Sequence, residues 1–238
     1  MPEVNPAALQ VAGGLVVYAG NSSPYSRAVG LGLHGPVSAA EFEQMEAFFA
    51  NYGVTPQISL CPLADSSLLE LIGNAGYRIE MFMQTWARAI RPAEDFHLPP
   101  GIVICPIAYD EAGLWARVAF KGGLDSEDAE PSRASVITAY PYMARTTCYL
   151  AWIDGEAAGA GTISIHEGLA ELFGASTRPA FRNRGAQAAL LASRLAEAQR
   201  QGCDLAVVHT EPGSASQRNV ERLGFQLAYT KVHLVKSE

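Results

Sequence analysis

This chain lacks the cysteine spacing of a metal site or a disulfide framework. Its four cysteines, Cys61, Cys105, Cys148 and Cys203, are widely separated and include no Cys-x-x-Cys pair. No histidine or second cysteine stands at ligand spacing from them, and His34, His97, His166 and His233 have no mutual spacing of that kind, so no metal ligands are expected. Buried free thiols in a reducing cytoplasm are the expectation instead. A basic surplus is missing too: 17 Lys and Arg stand against 24 Asp and Glu, giving a net charge of −7 and a pI near 5.3. That balance argues against nucleic acid or an anionic membrane as a partner, since either needs a broad basic face. No apolar run approaches the roughly 18 residues of a membrane helix. The apolar stretch from Ala7 to Tyr18 follows Glu3 and no Lys or Arg, which makes a poor signal peptide.

What remains is ordinary for a soluble globular protein. At 238 residues, 49% hydrophobic and 17% charged, the chain holds one large domain or two small ones. Against the acidic background, one segment is locally basic: Thr177-Arg178-Pro179-Ala180-Phe181-Arg182-Asn183-Arg184-Gly185-Ala186-Gln187. Glu171 to Ser176 before it reads as a strand. After it, Ala188, Leu191, Ala192, Leu195 and Ala198 share one helical face, with Arg194, Glu197 and Arg200 assigned to the opposite face. The loop therefore opens a helix. At that end the first amides have no intrahelical partner and the macrodipole is positive, so a polyanion can take several hydrogen bonds while Arg182 and Arg184 supply charge. The competing reading is an arginine loop that only caps the helix.

Arg182-x-x-Gly185-x-Gln187 resembles the (Arg/Gln)-x-x-Gly-x-(Gly/Ala) pyrophosphate loop of the GNAT superfamily of acyl-CoA-dependent N-acyltransferases. Thr177-x-Pro179 stands where that family often has Val-x-Pro. Downstream, Cys203 to His209 reads as a strand, Ser214 to Leu223 as a short helix, and Leu223-Gly224-Phe225 precedes a last strand; this order is similar to the superfamily's cofactor half, over roughly residues 100 to 238. The resemblance implies an α/β (α+β) fold with a mixed, mostly antiparallel sheet flanked by helices. It implies acetyl-CoA as co-substrate, held by Ala175, Ser176 and Thr177 along the pantetheine arm, by Arg182, Asn183, Arg184, Gly185, Ala186 and Gln187 at the diphosphate, and by Asn219. Gln187 departs from the small final residue of the motif, and Gly213 stands where many relatives carry Asn.

The same grammar occurs upstream. Arg27 to Leu33 reads as a strand, Ser38-x-x-Glu41 as a capping box opening a helix with Phe42, Met45 and Phe49 on one side, Gln57 to Cys61 as a strand, Asp65 to Asn74 as a helix, and Arg78 to Ile90 as a long strand after Gly76-Tyr77. From Ser38 to Gly76 the distance is 38 positions; from Gly185 to Gly224 it is 39. The expected organisation is a tandem: a degenerate GNAT-like half over 1–91, a Pro-rich linker over 92–100, and an N-acyltransferase domain over 101–238. The mirrored loop from Leu33 to Ser38 has no arginine, so it is expected not to bind CoA. In the second half, Gly101 to Ala108 reads as a strand, and Asp110 as the cap of a helix bearing Leu114, Trp115 and Val118. Turns at Asp154-Gly155 and His166-Glu167-Gly168 then join three antiparallel strands.

Attack of an amine on a thioester needs a base, because an alkyl amine of pKa near 10.4 is only about one part in a thousand neutral at physiological pH. Glu171, on the strand feeding the loop, is similar in position to the strand glutamate used by some superfamily members; it is either that base or an exposed carboxylate. Many relatives place a Tyr four residues before the Gly of Gly-Phe to protonate the thiolate, and here Val220 stands there. Ser216 and Tyr229 are the alternative donors, with Tyr140 and Tyr142 behind them, and each also has an ordinary structural explanation. His209 ends a strand near the site and is read as structural more readily than as a base. The acidic run Asp125 to Glu130 either draws a cationic acceptor or faces water. The resulting expectation is transfer of an acetyl group to a primary amine of a small molecule or peptide in a ternary complex, with a non-catalytic acyl-CoA-binding module as the alternative. Use of charged tRNA is disfavoured by the acidic balance. A homodimer is compatible with this reading but not required by it.

Overall fold

The computed structural model describes residues 5–21, 23–131 and 136–237. These divide into two compact units, one built from residues 86–226 and the other from residues up to 85 together with 227 onward.

In the unit that contains the N-terminal segment, β1 (Ala7–Val11) and β2 (Gly14–Tyr18) form a hairpin in register from Ala7↔Tyr18 to Val11↔Gly14. Both turn residues, Ala12 and Gly13, have positive φ, as a twisted two-residue hairpin requires. The run expected to be one strand from Arg27 to Leu33 is only β3 (Ala28–Val29), because Gly30 and Gly32 take left-handed φ values of 73° and 70° and end the extended backbone. Helix α1 (Ala39–Asn51) carries the predicted capping box and buries Phe42, Met45 and Phe49. Strand β4 (Gln57–Leu60), helix α2 (Ser66–Asn74, capped by Asp65) and most of β5 (Tyr77–Ala89) follow.

The last strand, β11 (Gln226–Lys236), pairs antiparallel with β4 from Val232↔Leu60 to Val235↔Gln57, and Leu234 packs with Phe42, Met45 and Ile58. The strand order in this unit is β1-β2-β3-β4-β11-β5. Because β11 completes this sheet, the compact units are not consecutive in sequence: the division falls inside β5, and residues 92–100 lie within the other unit.

The unit of residues 86–226 is a mixed sheet with helices on both faces. It comprises β6 (Ile102–Pro106), α3 (Ala112–Gly123), β7 (Thr146–Ile153), β8 (Glu156–His166), β9 (Leu169–Thr177), α4 (Ala186–Arg200), β10 (Leu205–Thr210) and α5 (Ala215–Arg222). The order is β6-β7-β8-β9-β10, antiparallel up to β9, with β10 parallel to β9. Asp154-Gly155 and Glu167-Gly168, all at positive φ, make the two tight turns. Side chains alternate across the sheet. Tyr149, Ile163 and Leu172 pack toward α4 with Leu190 and Leu195, whereas Cys148, Leu150 and Phe173 pack toward α3 with Trp115 and Ala119.

Three local expectations are corrected here. Glu111, not Asp110, precedes α3, and its carboxylate accepts from the Ala108 amide at 2.8 Å. Cys105 is exposed and Cys61 half-buried, so only Cys148 and Cys203 are buried thiols. Arg194, assigned to the solvent face of α4, is 1% exposed.

Candidate active site

The site begins where two parallel strands part. Strands β9 and β10 pair from Leu205↔Leu169 to Val208↔Leu172 and no further, although β9 runs on to Thr177 and β10 to Thr210. On its other side β9 pairs with β8, but the register shifts between Thr162↔Phe173 and Ala160↔Ser176, so Gly174 and Ala175 both stand against Gly161. An extra residue of this kind bends its strand. Gly174 takes φ 58°, and a Cβ there would sit 3.0 Å from the Tyr140 ring. Bulge and lost pairing together open a fork. A cavity of about 310 Å³ occupies it, walled by Phe173 to Ser176 of β9, by Val208 and His209 of β10, and by side chains of α4 and α5.

Strand β9 leads through a 3₁₀ turn (Pro179–Phe181) to Asn183 at φ 60° and Gly185 at φ 89°, which starts α4 with no side-chain cap. A side chain at 185 would be strained at that φ and would crowd Ile102 Cδ1 at 3.3 Å. The first amides of a 15-residue helix therefore face outward uncapped, at its positive end. Gln187 ties the helix start to the strand end, its Nε2 donating to Thr177 Oγ1 at 2.9 Å.

The loop's cations are in exposed ion pairs: Arg182 with Asp125 and Arg184 with Asp154, each at 2.5 Å. Pairs this exposed contribute little and exchange readily for another anion. Arg178 is more firmly placed. Its Nε donates to Glu127 at 2.9 Å and its Nη1 to the Ala157 carbonyl at 3.0 Å, while Glu127 also accepts from the Ala180 amide at 3.2 Å. Despite the cost of partial burial, these donors hold the Glu127 carboxyl below its ordinary range. With Glu130 near Lys121 at 3.4 Å, three carboxylates of the acidic run already have cationic partners.

Of the residues named from sequence, Ala175, Ser176, Gln187, Ser216 and Asn219 line the cavity, and Val220 stands beside the last two. Ser176 Oγ donates to the Ala119 carbonyl at 2.8 Å, packing α3 on β9. Asn219 Oδ1 accepts from Arg222 at 3.2 Å. Thr177 is buried at the strand end, and Arg182 to Ala186 form the loop and helix start. Glu171 is half exposed beside the fork, 3.7 Å from Nε2 of His209, which does line the cavity. Tyr229 is not among the lining residues and lies on β11, in the other compact unit. Tyr140 is buried between Trp115 and Phe173, at 5.9 and 5.1 Å between ring centroids, which is a packing role. Among the described residues no cluster of His, Cys, Asp or Glu could hold a metal, and no helix is long and apolar enough to cross a membrane.

Arg194 is the residue that sequence reasoning missed. It lines the cavity from α4, seven positions after Gln187 and three after Leu191, and so on their face of the helix. Its Nε donates to the Leu190 carbonyl at 2.9 Å, and its Nη1 to Thr162 O at 3.0 Å and Phe173 O at 3.4 Å. Among the described residues its Nη2 has no hydrogen-bond partner, and no carboxylate forms an ion pair with the group. Burial pulls its pKa down to about 10, so it remains charged at neutral pH. An unpaired buried charge costs several kcal/mol. Gly161 makes the space: a Cβ there would approach the guanidinium carbon at 3.1 Å.

The geometry agrees with what the chain is similar to. Residues 115–225 match the model of the acetyltransferase (GNAT) family. Among solved structures, a GCN5-related N-acetyltransferase from Kribbella flavida is 20% identical with a TM-score of 0.75, covering 98% of this chain and 90% of its own. One from Sphaerobacter thermophilus is 18% identical with a TM-score of 0.65, covering 94% and 80%. A tandem GNAT protein from the clavulanic acid biosynthesis pathway is 14% identical with a TM-score of 0.67, covering 99% and 84%. At such identities these likenesses speak for the fold. No curated protein matches the sequence. Residues 115–225, which hold the forked strands, the glycine loop and the cavity, belong to the GNAT acetyltransferase family, whose chemistry is acyl transfer.

Proposed function

We propose that the protein transfers an acetyl group from acetyl-CoA to a primary amine of a small molecule or peptide, by direct attack in a ternary complex. The observation that carries this reading is the uncapped start of α4 at Gly185, two residues before Gln187, which lines the cavity together with the edge of β9 that loses its β10 partner after Leu172. A diphosphate at the helix start would receive the amides from Gly185 to Gln187 and the charges of Arg182 and Arg184 in place of Asp125 and Asp154. The unpartnered strand edge from Phe173 to Thr177 offers backbone groups to the amides of a pantetheine arm, as Ala175, Ser176 and Thr177 were expected to do. Asn219 and Ser216 wall the cavity from α5.

In this reading Glu171 accepts the proton of the attacking amine, directly or through water, on the face of β9 away from α4, with His209 beside it. The amine nitrogen attacks the thioester carbon, the carbon–sulfur bond breaks, and its electron pair leaves on sulfur. Ser216 is the cavity-lining hydroxyl among the named donors. No hydroxyl is available at Val220, which is the feature favouring the alternative of a binding module without chemistry.

A calorimetric titration with acetyl-CoA followed by a screen of amines separates the two. Expected are one CoA per chain and CoA release that depends on an amine; tight binding without turnover on any amine selects the binding module, and no binding removes both. Glu171→Gln is expected to lower kcat by about 10²-fold or more and to abolish the basic rise of its pH profile. An unchanged profile would take Glu171 out of the reaction.

A further inference from the structure

We infer that the buried, carboxylate-free guanidinium of Arg194 stabilises the thiolate that leaves in acyl transfer, so that the sulfur departs as an anion and needs no protonating residue. The inference rests on the proposed function and names how the cavity replaces a donor missing at Val220.

Four observations place the charge at the fork of β9 and β10. Arg194 lines the cavity at the fork, and its Nη1 bonds the carbonyl of Phe173, the first residue of β9 beyond the last pair with β10. Gln187, Leu191 and Arg194 mark one line along α4 from the anion-holding end inward, with Arg194 about 13 Å along the axis from Gly185. Nη2 has no partner. Gly161 leaves room that any side chain would remove. The remaining groups do not neutralise the charge. Among the described residues that line the cavity, only Arg194 and His209 can carry charge, and none is a carboxylate. The nearby Tyr149 phenol on β7 is pushed up to about 12 and stays neutral, while Glu197, one turn along α4, is bonded to Arg200 and Gln201. Glu171 faces His209 across the strand pair, outside the cavity wall.

The energetics follow from where charge develops. In the ground state the thioester is neutral. When the amine lone pair forms the C–N bond, the C–S electron pair passes to sulfur, and the amine proton goes to the base on the other face of β9. Negative charge then appears inside a cavity whose wall holds a fixed positive charge, on a guanidinium that is itself almost fully buried and so screened less than in bulk water. Such an interaction is stronger in the transition state than with the substrate, so it acts on kcat rather than on KM. The anion takes its proton from solvent after release.

The product complex provides a test that does not depend on activity. CoA bound to the intact protein is titrated by the ultraviolet absorbance of its thiolate, with desulfo-CoA as the blank. A free thiol ionises near 8.5; the bound thiol is expected to ionise at least about tenfold more readily, and in Arg194→Met to return to the free value. In kinetics, Arg194→Lys, which keeps a charge but not the planar fork, is expected to retain most of kcat, whereas Arg194→Met loses about 10²-fold with KM for acetyl-CoA changed less than about threefold. If the Met variant does not fold, the wild-type titration alone decides. CoA bound with its thiol ionising at or above the free value overturns the inference and leaves the proposed function standing. A chain that binds no CoA at all overturns the proposed function, and this inference with it.

Discussion

Helices α1 and α4 each follow a glycine-bearing loop after a strand, yet they begin in opposite ways. At α1, Ser38 Oγ accepts from the Glu41 amide at 3.3 Å, and the Glu41 carboxylate accepts from the Ser38 amide at 2.9 Å. The Ser38 amide foremost, and then the Ser38 hydroxyl, which also donates to that carboxylate at 2.7 Å, hold the Glu41 carboxyl below its ordinary range. The positive end of α1 is thus closed by its own carboxylate. At α4, Gly185 has no side chain with which to cap, the first turn carries no acid, and the carboxylates paired with Arg182 and Arg184 are exposed. The difference teaches that the proposed anion site would be made by leaving out a cap as much as by adding arginines: the kind of amides that Ser38 and Glu41 satisfy internally are left uncapped at α4.

The largest expected effect comes from closing the open helix start. Gly185→Val must place a β-branched side chain at φ 89° against Ile102, with strain and lost amide contacts together worth roughly 2–3 kcal/mol. Affinity for CoA, measured calorimetrically, is expected to fall about 30- to 100-fold. The mirrored change Gly35→Ala, at a glycine with φ 135° and open space around it, is expected to leave CoA affinity unchanged. Equal losses at both positions would break the contrast between the loops.

Much of this contrast is legible in the sequence. The Ser38-x-x-Glu41 box, the Asp154-Gly155 and Glu167-Gly168 turns and the Arg182-x-x-Gly185 loop are local patterns whose geometry depends on neighbours in the chain, and each appears where it is read. Strand pairing between distant segments is not local, so the placement of β11 against β4 could not be read from it. Short strands also escaped: Ala7 to Tyr18 registers as an apolar stretch, while Ala12 and Gly13 fold it into a hairpin. Arg194 is the instructive failure. Leu191, Arg194, Leu195 and Ala198 follow the spacing of a buried stripe, so its position pointed inward and only its residue type pointed outward. The carbonyls that admit it belong to β8 and β9, and the β-bulge that presents them is a tertiary feature.

Opening the closed start is a smaller perturbation. Ser38→Ala removes the bond to the Glu41 amide and is expected to cost about 1 kcal/mol in denaturant unfolding. It should not create a second CoA site, because no arginine lies between Leu33 and Ser38. A second molecule of CoA bound per chain by the Ser38→Ala/Glu41→Ala variant would show that an uncapped helix start suffices and that the arginines of the other loop are dispensable.

The smallest effect distinguishes the carboxylates that belong to each loop. Glu127 accepts from Ala180 and Arg178, so the segment before α4 already holds one anion, from the chain itself, two residues upstream of Arg182. Its carboxyl is held low when folded. A depressed carboxyl contributes stability above its unfolded value, roughly 4.3, and loses that contribution as pH falls through the folded value. With the side chain about a third exposed, solvent screening keeps the contribution below about 1 kcal/mol. Wild-type protein is therefore expected to lose slightly more stability than Glu127→Gln as pH is lowered from about 5 toward 3, while at pH 7 the variant is the less stable of the two. Because Glu127 anchors Arg178 rather than Arg182 or Arg184, CoA affinity at pH 7 should change less than about threefold, a shift of under about 0.7 kcal/mol. A gain in affinity of tenfold or more on Glu127→Gln would mean instead that this carboxylate occupies part of the diphosphate site, and that the start of α4 is closed by its own chain after all, from a loop rather than from its first turn.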